Sequence, residues 1–150
     1  MVDVGSKAPT VRRAVARARI EFPGDSFARI LDEGVPKGSI TGVARIAGIA
    51  AAKRTWELIP LCHQIPLTSV SIDFEVCGPD GLEVTCAAQA EAKTGVEMEA
   101  LTGATVAALT VYDMCKAITR GIRIHDVTLI EKTGGRSGPW KARASDRGAK

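Results

Sequence analysis

Apolar and polar positions alternate along residues 11–22. Ala14, Ala16, Ala18, Ile20 and Phe22 fall on one side, and Arg13, Val15, Arg17, Arg19 and Glu21 on the other. A period of two predicts a half-buried strand. Arg12 lies in the inward register at its start, where a strand end opening to solvent is explanation enough. Asp25 can cap a short helix over residues 25–33, with Phe27, Ile30 and Leu31 inward and Gly34 as its stop. Ser39 then caps a longer helix over about 39–58. That helix carries Gly42, Ala44, Ala47, Gly48, Ala50, Ala51 and Ala52, small nearly all round, so it predicts close packing on more than one side. Pro60 ends it, and LCHQIPLT reads as a loop.

Val70, Ile72, Phe74 and Val76 alternate as a second strand, and Leu82, Val84, Cys86, Ala88 and Ala90 as a third. Gly-Pro-Asp-Gly at 78–81 turns one into the other as a hairpin. Residues 95–118 predict one long helix. Its Met98, Leu101, Thr105, Leu109 and Tyr112 form a stripe at about 100° per residue, with Lys116 in its middle and Asp113 at its edge. An acid and an amine at i, i+3 are neighbours. Turned toward an interior they are costly unless paired or used; a helix end fraying into solvent is the plain alternative. A last strand covers about 122–131.

The order strand, helices, strand, strand, helix, strand is the split βαβ plan. It predicts a single α+β domain over 1–150, with a ferredoxin-like antiparallel sheet and its helices packed on one face. The other face and the edge strands then need cover, so the chain is expected to self-associate. The Gly- and Lys/Arg-rich tail is expected to be flexible from about residue 138.

Composition narrows the function. The chain is 45% hydrophobic and 25% charged, as a globular domain should be. Its net charge of +3 is small and spread out, which argues against a general nucleic-acid binder. No apolar run approaches the roughly 20 residues of a membrane span, and MVDVGSKAP lacks the apolar core of a signal peptide. Cys62, Cys77, Cys86 and Cys115 form no CxxC pair. A reduced, cytoplasmic protein with no membrane partner is expected.

Several residues could carry chemistry. Lys37 sits in a Pro-Lys-Gly loop where Gly38 lets a ligand approach, although loop lysines are ordinarily solvated. Cys62 and His63 suggest a nucleophilic dyad, but adjacent residues rarely face each other. His63 suits a hydrogen-bond donor or proton carrier better. Two histidines without paired spacing make a zinc site a poor reading. Glu97 and Glu99 complement the positive end of the long helix, with Lys93 and Thr94 as partner and cap. Paired carboxylates can equally hold a purine-like edge through its N–H groups. Lys53 and Glu57 read as an i, i+4 pair. Lys132-Thr-Gly-Gly-Arg-Ser-Gly sets two cations among glycines that can wrap phosphates, though it is no Walker loop. Together Lys37, Lys116, Lys132, Arg136, Asp113 and His63 suit an anionic, phosphate-bearing small molecule undergoing proton transfers.

The strings ARIAGIAAAKRTWELIPLCH, KTGVEMEALTGATVAALTVYDMCKAI and KTGGRSG, with MVDVGSKAPTVRRAVA and PKG, resemble the cyclic pyranopterin monophosphate synthase (MoaC) family of molybdenum cofactor biosynthesis. The resemblance implies a substrate, 3′,8-cyclo-7,8-dihydroguanosine 5′-triphosphate, that is rearranged to a pyranopterin with a cyclic phosphate and release of pyrophosphate. It implies a homohexamer, a trimer of dimers with active sites at the dimer interfaces. By the same resemblance Asp113 is the catalytic acid, and Lys37, Lys116 and Lys132 are the essential lysines. Leu61, Cys62 and His63, with Glu97, Met98 and Glu99, contact substrate. The expected division of labour follows. Lys37, Lys132 and Arg136 hold the triphosphate, Glu97 or Glu99 and the LCH loop hold the guanine-derived part, and Asp113 and Lys116 move protons. That pair is expected to be held dry in a cationic pocket built by two protomers. No redox cofactor or metal cage is implied, although Mg2+ can accompany a triphosphate. Two positions depart from the family's habit: Gln64 stands where proline often follows LCH, and Arg136 where lysine is frequent, keeping the charge but altering its geometry.

Two rival classes remain on the sequence. An RNA-binding module needs aromatic platforms on its sheet, yet the chain has six aromatics and only Phe74 in the hairpin. A regulatory small-molecule domain does not need Asp113 and Lys116 beside other cations.

Overall fold

The computed structural model describes residues 1–143. The chain forms β1 (Thr10–Glu21), α1 (Ser26–Glu33), α2 (Ile40–Ala52), α3 (Thr55–Leu58), β2 (Ser69–Val76), β3 (Gly81–Ala92), α4 (Glu97–Cys115), β4 (Arg123–Thr133) and β5 (Trp140–Lys141). One five-stranded sheet runs β2-β3-β1-β4-β5, with every neighbouring pair antiparallel. The helices pack on one face of it, as the element order predicts.

The alternation in β1 and β3 supplies that face. Ala14, Ala16, Ala18 and Ile20 are buried, as are Leu82, Val84, Cys86, Ala88 and Ala90 opposite them. Phe22 leaves the end of β1 and stacks on Phe27 of α1, ring centroids 4.7 Å apart. The outward face carries charge: Arg17 and Arg19 both reach Glu83, at 3.5 and 3.2 Å, and Arg13 pairs with Glu131. Pairing of β1 with β4 slips between Arg17 and Arg19. Asp126 takes a φ of +50° there, a conformation aspartate tolerates better than most residues.

Small residues decide the helix layer. Ala44, Gly48, Ala51 and Ala52 of α2 are buried against α4, whose buried face is Ala100, Gly103, Ala104, Ala107, Ala108, Val111, Met114 and Cys115. A Cβ at Gly48 would lie 2.8 Å from the Gly103 carbonyl oxygen, and one at Gly103 would lie 2.6 Å from Cys86 Sγ. The two helices and the sheet therefore touch backbone to backbone.

This corrects the reading of α4. The stripe of larger residues is not the centre of its core face: Leu109 is 57% exposed and Met98 and Thr105 are exposed as well, while Leu101 and Tyr112 pack half-buried against the core. Leu31 of α1 faces solvent too, at 61% exposure, while Phe27 and Ile30 are buried. The long helix expected to reach about residue 58 breaks after Ala52, and Thr55 resumes it as α3. Glu57 consequently lies beside Arg54, at 3.9 Å, in place of the expected Lys53 pair. Ser39 does cap α2, its hydroxyl accepting from the Gly42 N–H, and Gly34 closes α1 at φ +71°. Asp25 makes no side-chain cap.

The stretch from about residue 138, expected as a flexible tail, carries β5, which pairs Trp140 with Lys132 and Lys141 with Glu131. Ala142 beside it is buried. The end of that tail lies outside the described residues.

Candidate functional site

The C-terminal end of α4 holds an ionic cluster. Asp113 Oδ1 lies 2.6 Å from Lys116 Nζ, and its Oδ2 lies 2.6 Å from Lys37 Nζ. Lys37 also donates to the Asp113 carbonyl at 3.0 Å. Lys116 is placed by the helix end itself, where its N–H reaches the Tyr112 carbonyl. Lys37 comes from the turn before α2, which Gly38 closes at φ +91°. Hydrogen bonds from Lys116 and then Lys37 hold the Asp113 carboxyl down to about 2, against an ordinary 3.8. One carboxylate thus aims two ammonium groups. Within the single chain the pair follows the plainer of the two alternatives, an open helix end: Asp113 and Lys116 side chains are each 51% exposed. The physical reason is the rotation of α4, whose small-residue face takes the interior.

The N-terminal end of α4 faces a different neighbourhood. Glu97 approaches Lys132 of β4 at 3.4 Å. Glu99, 4% exposed, is the buried acid among the described residues. Burial pushes its carboxyl up to about 7; its own backbone N–H opposes the rise, and the charge on Glu97 adds to it. Leu61, Cys62 and His63 from the loop after α3 line a cleft of about 450 Å³ with Glu97, Met98 and Glu99. His63 Nε2 lies 2.9 Å from the Val2 carbonyl, a contact in which that nitrogen is the donor. That ring nitrogen of His63 is thereby engaged by the backbone. Burial, then the charge of Glu99, raises the Cys62 thiol, so the dyad that the sequence made tempting does not form.

A second cleft of about 620 Å³ adjoins the first and shares Lys7, Thr94, Gly95 and Glu97 with it. Lys7, Arg12, Arg13, Lys93, Lys132 and Arg136 line it, and among the described residues Glu97 is the one carboxylate that does. Strand pairing gathers these cations, because β1 sets Ala14 opposite Lys132 on one side and Thr10 opposite Ala92 on the other. The glycine loop closes over the start of β1. Gly134 and Gly135 take φ of +91° and +81°, and a Cβ on either would collide with the Val11 carbonyl or the Arg12 guanidinium. Lys132 Nζ meets Ser137 Oγ at 2.8 Å, and Arg12 Nε donates to the Ala92 carbonyl at 3.3 Å. A concave site of this size with six cations suits a polyphosphate.

The structure therefore sorts the expected residues into two groups. Leu61, Cys62, His63, Glu97, Met98, Glu99, Lys132 and Arg136 line the two clefts. Asp113, Lys116 and Lys37 stand together at the far end of α4, roughly 24 Å along a helix rising about 1.5 Å per residue. Lys7, Arg13 and Lys93 were missed. Lys93 does not partner Glu97 but donates to the Gly5 carbonyl at 2.8 Å. Arg12 carries a signal in the sequence, an arginine in an inward register, and the structure sets it in the wall of the larger cleft. Among the described residues no group of three His, Cys, Asp or Glu side chains is arranged to hold a metal ion, no helix is long and apolar enough to cross a membrane, and the four cysteines form no disulfide. Phe74 packs against the core with Arg45 over its ring at 5.6 Å, so it offers no platform for a base.

Comparison with known proteins bears on this arrangement. The model of the MoaC family matches residues 1–135. A cyclic pyranopterin monophosphate synthase from Listeria monocytogenes serotype 4a is 54% identical over 144 residues, covering 96% of this chain and 90% of the relative. Synthases of the same name from Novosphingobium aromaticivorans and Chloroflexus aurantiacus are 52% and 51% identical, covering 95% and 94% of this chain and 90% and 87% of the relatives.

Proposed function

The chain belongs to the MoaC family, and from that premise we propose that its two clefts and its Asp113 cluster together perform the cyclic pyranopterin monophosphate synthase reaction of molybdenum cofactor biosynthesis. The enzyme is a lyase. It converts 3′,8-cyclo-7,8-dihydroguanosine 5′-triphosphate to cyclic pyranopterin monophosphate and releases pyrophosphate. The observation that carries the reading is the joining of a six-cation cleft to one lined by Glu97, Glu99 and the LCH loop. The first matches a triphosphate and the second the N–H edge of a guanine-derived ring.

In this reading Lys132 and Arg136 bind phosphate oxygens, and Leu61, Cys62, His63, Glu97, Met98 and Glu99 hold the ring system. Glu99 can bind as a neutral acid near pH 7 and so can donate as well as accept. Lys37 and Lys116, aimed by ionised Asp113, stabilise charge and move protons during ring opening and reclosure. With Asp113 at the far end of α4, the two groups meet in one site when the α4 end of one copy reaches the clefts of another. That is the arrangement expected of a homohexamer with sites between protomers. Exposed apolar side chains on the helix layer, Ile46 at 72% and Leu109 at 57%, support self-association. The strand order supports the ferredoxin-like description, with β5 added.

The reaction transfers no net electrons, so a redox cofactor is not called for. A Mg2+ ion travelling with the triphosphate would be held chiefly by phosphate oxygens, since among the described residues Glu97 is the one carboxylate lining that cleft. Four reduced cysteines suit a cytoplasmic enzyme. The deciding experiment is to incubate the purified protein with the cyclic triphosphate and measure pyrophosphate and the pyranopterin product. Absence of both in the wild-type protein would overturn the reading.

A further inference from the structure

Residues 2–7 lie across both clefts as a strap, and its anchors are specific. The Val2 carbonyl takes the hydrogen bond from His63 Nε2 at 2.9 Å, and the Gly5 carbonyl takes one from Lys93 Nζ at 2.8 Å. Within the strap Gly5 N–H donates to Asp3 Oδ1 at 2.7 Å and Lys7 N–H to the Val4 carbonyl at 3.1 Å. Val2 and Val4 line the acid-bearing cleft, while Lys7 lines both clefts. Of the six cations of the larger cleft, Lys7 is the one that the smaller cleft shares. Its side chain is exposed, so no fold requirement explains its placement.

We propose that the strap is a working part of the active site: its two carbonyl anchors hold Lys7 at the seam of the clefts, where it acts on the α-phosphate as a catalytic residue, and Lys93 serves as its positioning residue. The inference rests on the synthase reading above. A nucleotide whose ring lies in one cleft and whose phosphates lie in the other must place its α-phosphate at the boundary. The ring-closing step happens there. A hydroxyl oxygen of the rearranged substrate forms a bond to the α-phosphorus, the bridging P–O bond to the β-phosphate breaks, and pyrophosphate departs with that electron pair. The hydroxyl proton passes to a base or to water. An ammonium beside the bridging oxygen offsets the charge that develops on it, an interaction stronger in the transition state than before it. Lys132 and Arg136 line only the larger cleft and are suited to hold the phosphates in both states.

The experiment compares wild type, Lys7→Met, Lys7→Arg, Lys93→Met and the double variant Lys7→Met/Lys93→Met. Initial rates of pyrophosphate release from the cyclic triphosphate are measured, with binding of inorganic tripolyphosphate followed by calorimetry. Lys7→Met is expected to lower kcat on the order of 10²-fold with KM changed severalfold at most, and Lys7→Arg to recover part of the loss. Lys93→Met is expected to lower kcat less, and adding it to Lys7→Met to lower kcat little further, because it acts through Lys7. If wild type releases pyrophosphate and Lys7→Met retains kcat within twofold, or if the two losses multiply, this inference is wrong while the synthase reading stands. If wild type releases none, the synthase reading itself has failed. Melting curves of all variants are expected to overlay, since Lys7 and the strap lie at the surface.

Discussion

Asp113 and Glu97 stand at opposite ends of α4, roughly 24 Å apart along its axis at about 1.5 Å per residue. The helix thus presents a cation-aiming carboxylate at one end and, at the other, a carboxylate that lines both clefts. Within one chain they serve different surfaces. A repeated assembly that brings unlike ends together would give every site one of each.

Subunit mixing tests that arrangement. Asp113→Asn and His63→Ala are each expected to be nearly inactive alone. Hybrids formed by unfolding and refolding the two together are expected to regain pyrophosphate release, because some sites draw an intact half from each partner. No recovery at any mixing ratio would mean that one chain supplies the whole site.

Asp113→Asn is expected to lower turnover by about 10²- to 10⁴-fold. The thermal midpoint should scarcely move, because exposed ion pairs contribute little to stability. With its carboxyl held near 2, Asp113 stays ionised through the working range. Whatever it adds to stability is present above pH 3.8 and lost as the pH falls through about 2. An Asp113 carboxyl signal titrating near pH 4 in NMR would remove the two-lysine clamp.

Glu99 should give the opposite pH signature. Its native carboxyl keeps a proton between pH 4.5 and about 7, where the unfolded chain has released it. Stability therefore falls as pH rises through that window and levels off above it, by roughly 3 kcal/mol for a shift of that size. Glu99→Gln stays neutral throughout. It is expected to abolish that part of the slope and to be more stable than wild type at pH 8, with little difference at pH 4.5. Denaturant midpoints at both pH values check it; identical slopes would contradict the assignment.

Gly48→Ala probes the contact between α2 and α4. The new methyl would meet the Gly103 carbonyl at 2.8 Å and Ala107 Cβ at 3.0 Å. Overpacking between two backbones is expected to cost about 1–3 kcal/mol, despite alanine's better helix propensity. A lowered thermal midpoint would show it, and a raised one would mean that the helices separate easily.

Much of this was legible along the chain. Alternation in β1, β2 and β3 depends on neighbours two residues apart, so strands, hairpin and element order emerge from the sequence. The cation-bearing glycine loop, the LCH loop and the acids at 97 and 99 were legible as residue types, and their common membership of a family as strings. The face of α4 was misread because periodicity says which residues share a side, not which side is covered. With alanine and glycine filling most of one side and Met98 and Leu109 on the other, size points the wrong way. Only the approach of α2, close enough to leave no room for a Cβ at Gly48, turns the small side inward. The same limit hid Lys7, Arg13 and Lys93. Their neighbourhood exists because β1 lies between β3 and β4, setting a strap, a strand start and a glycine loop around a single cleft. Local pattern settles the elements, since its causes lie within a few residues. Which charges share a space depends on contacts between residues far apart in the chain, and those the packed tertiary structure alone decides.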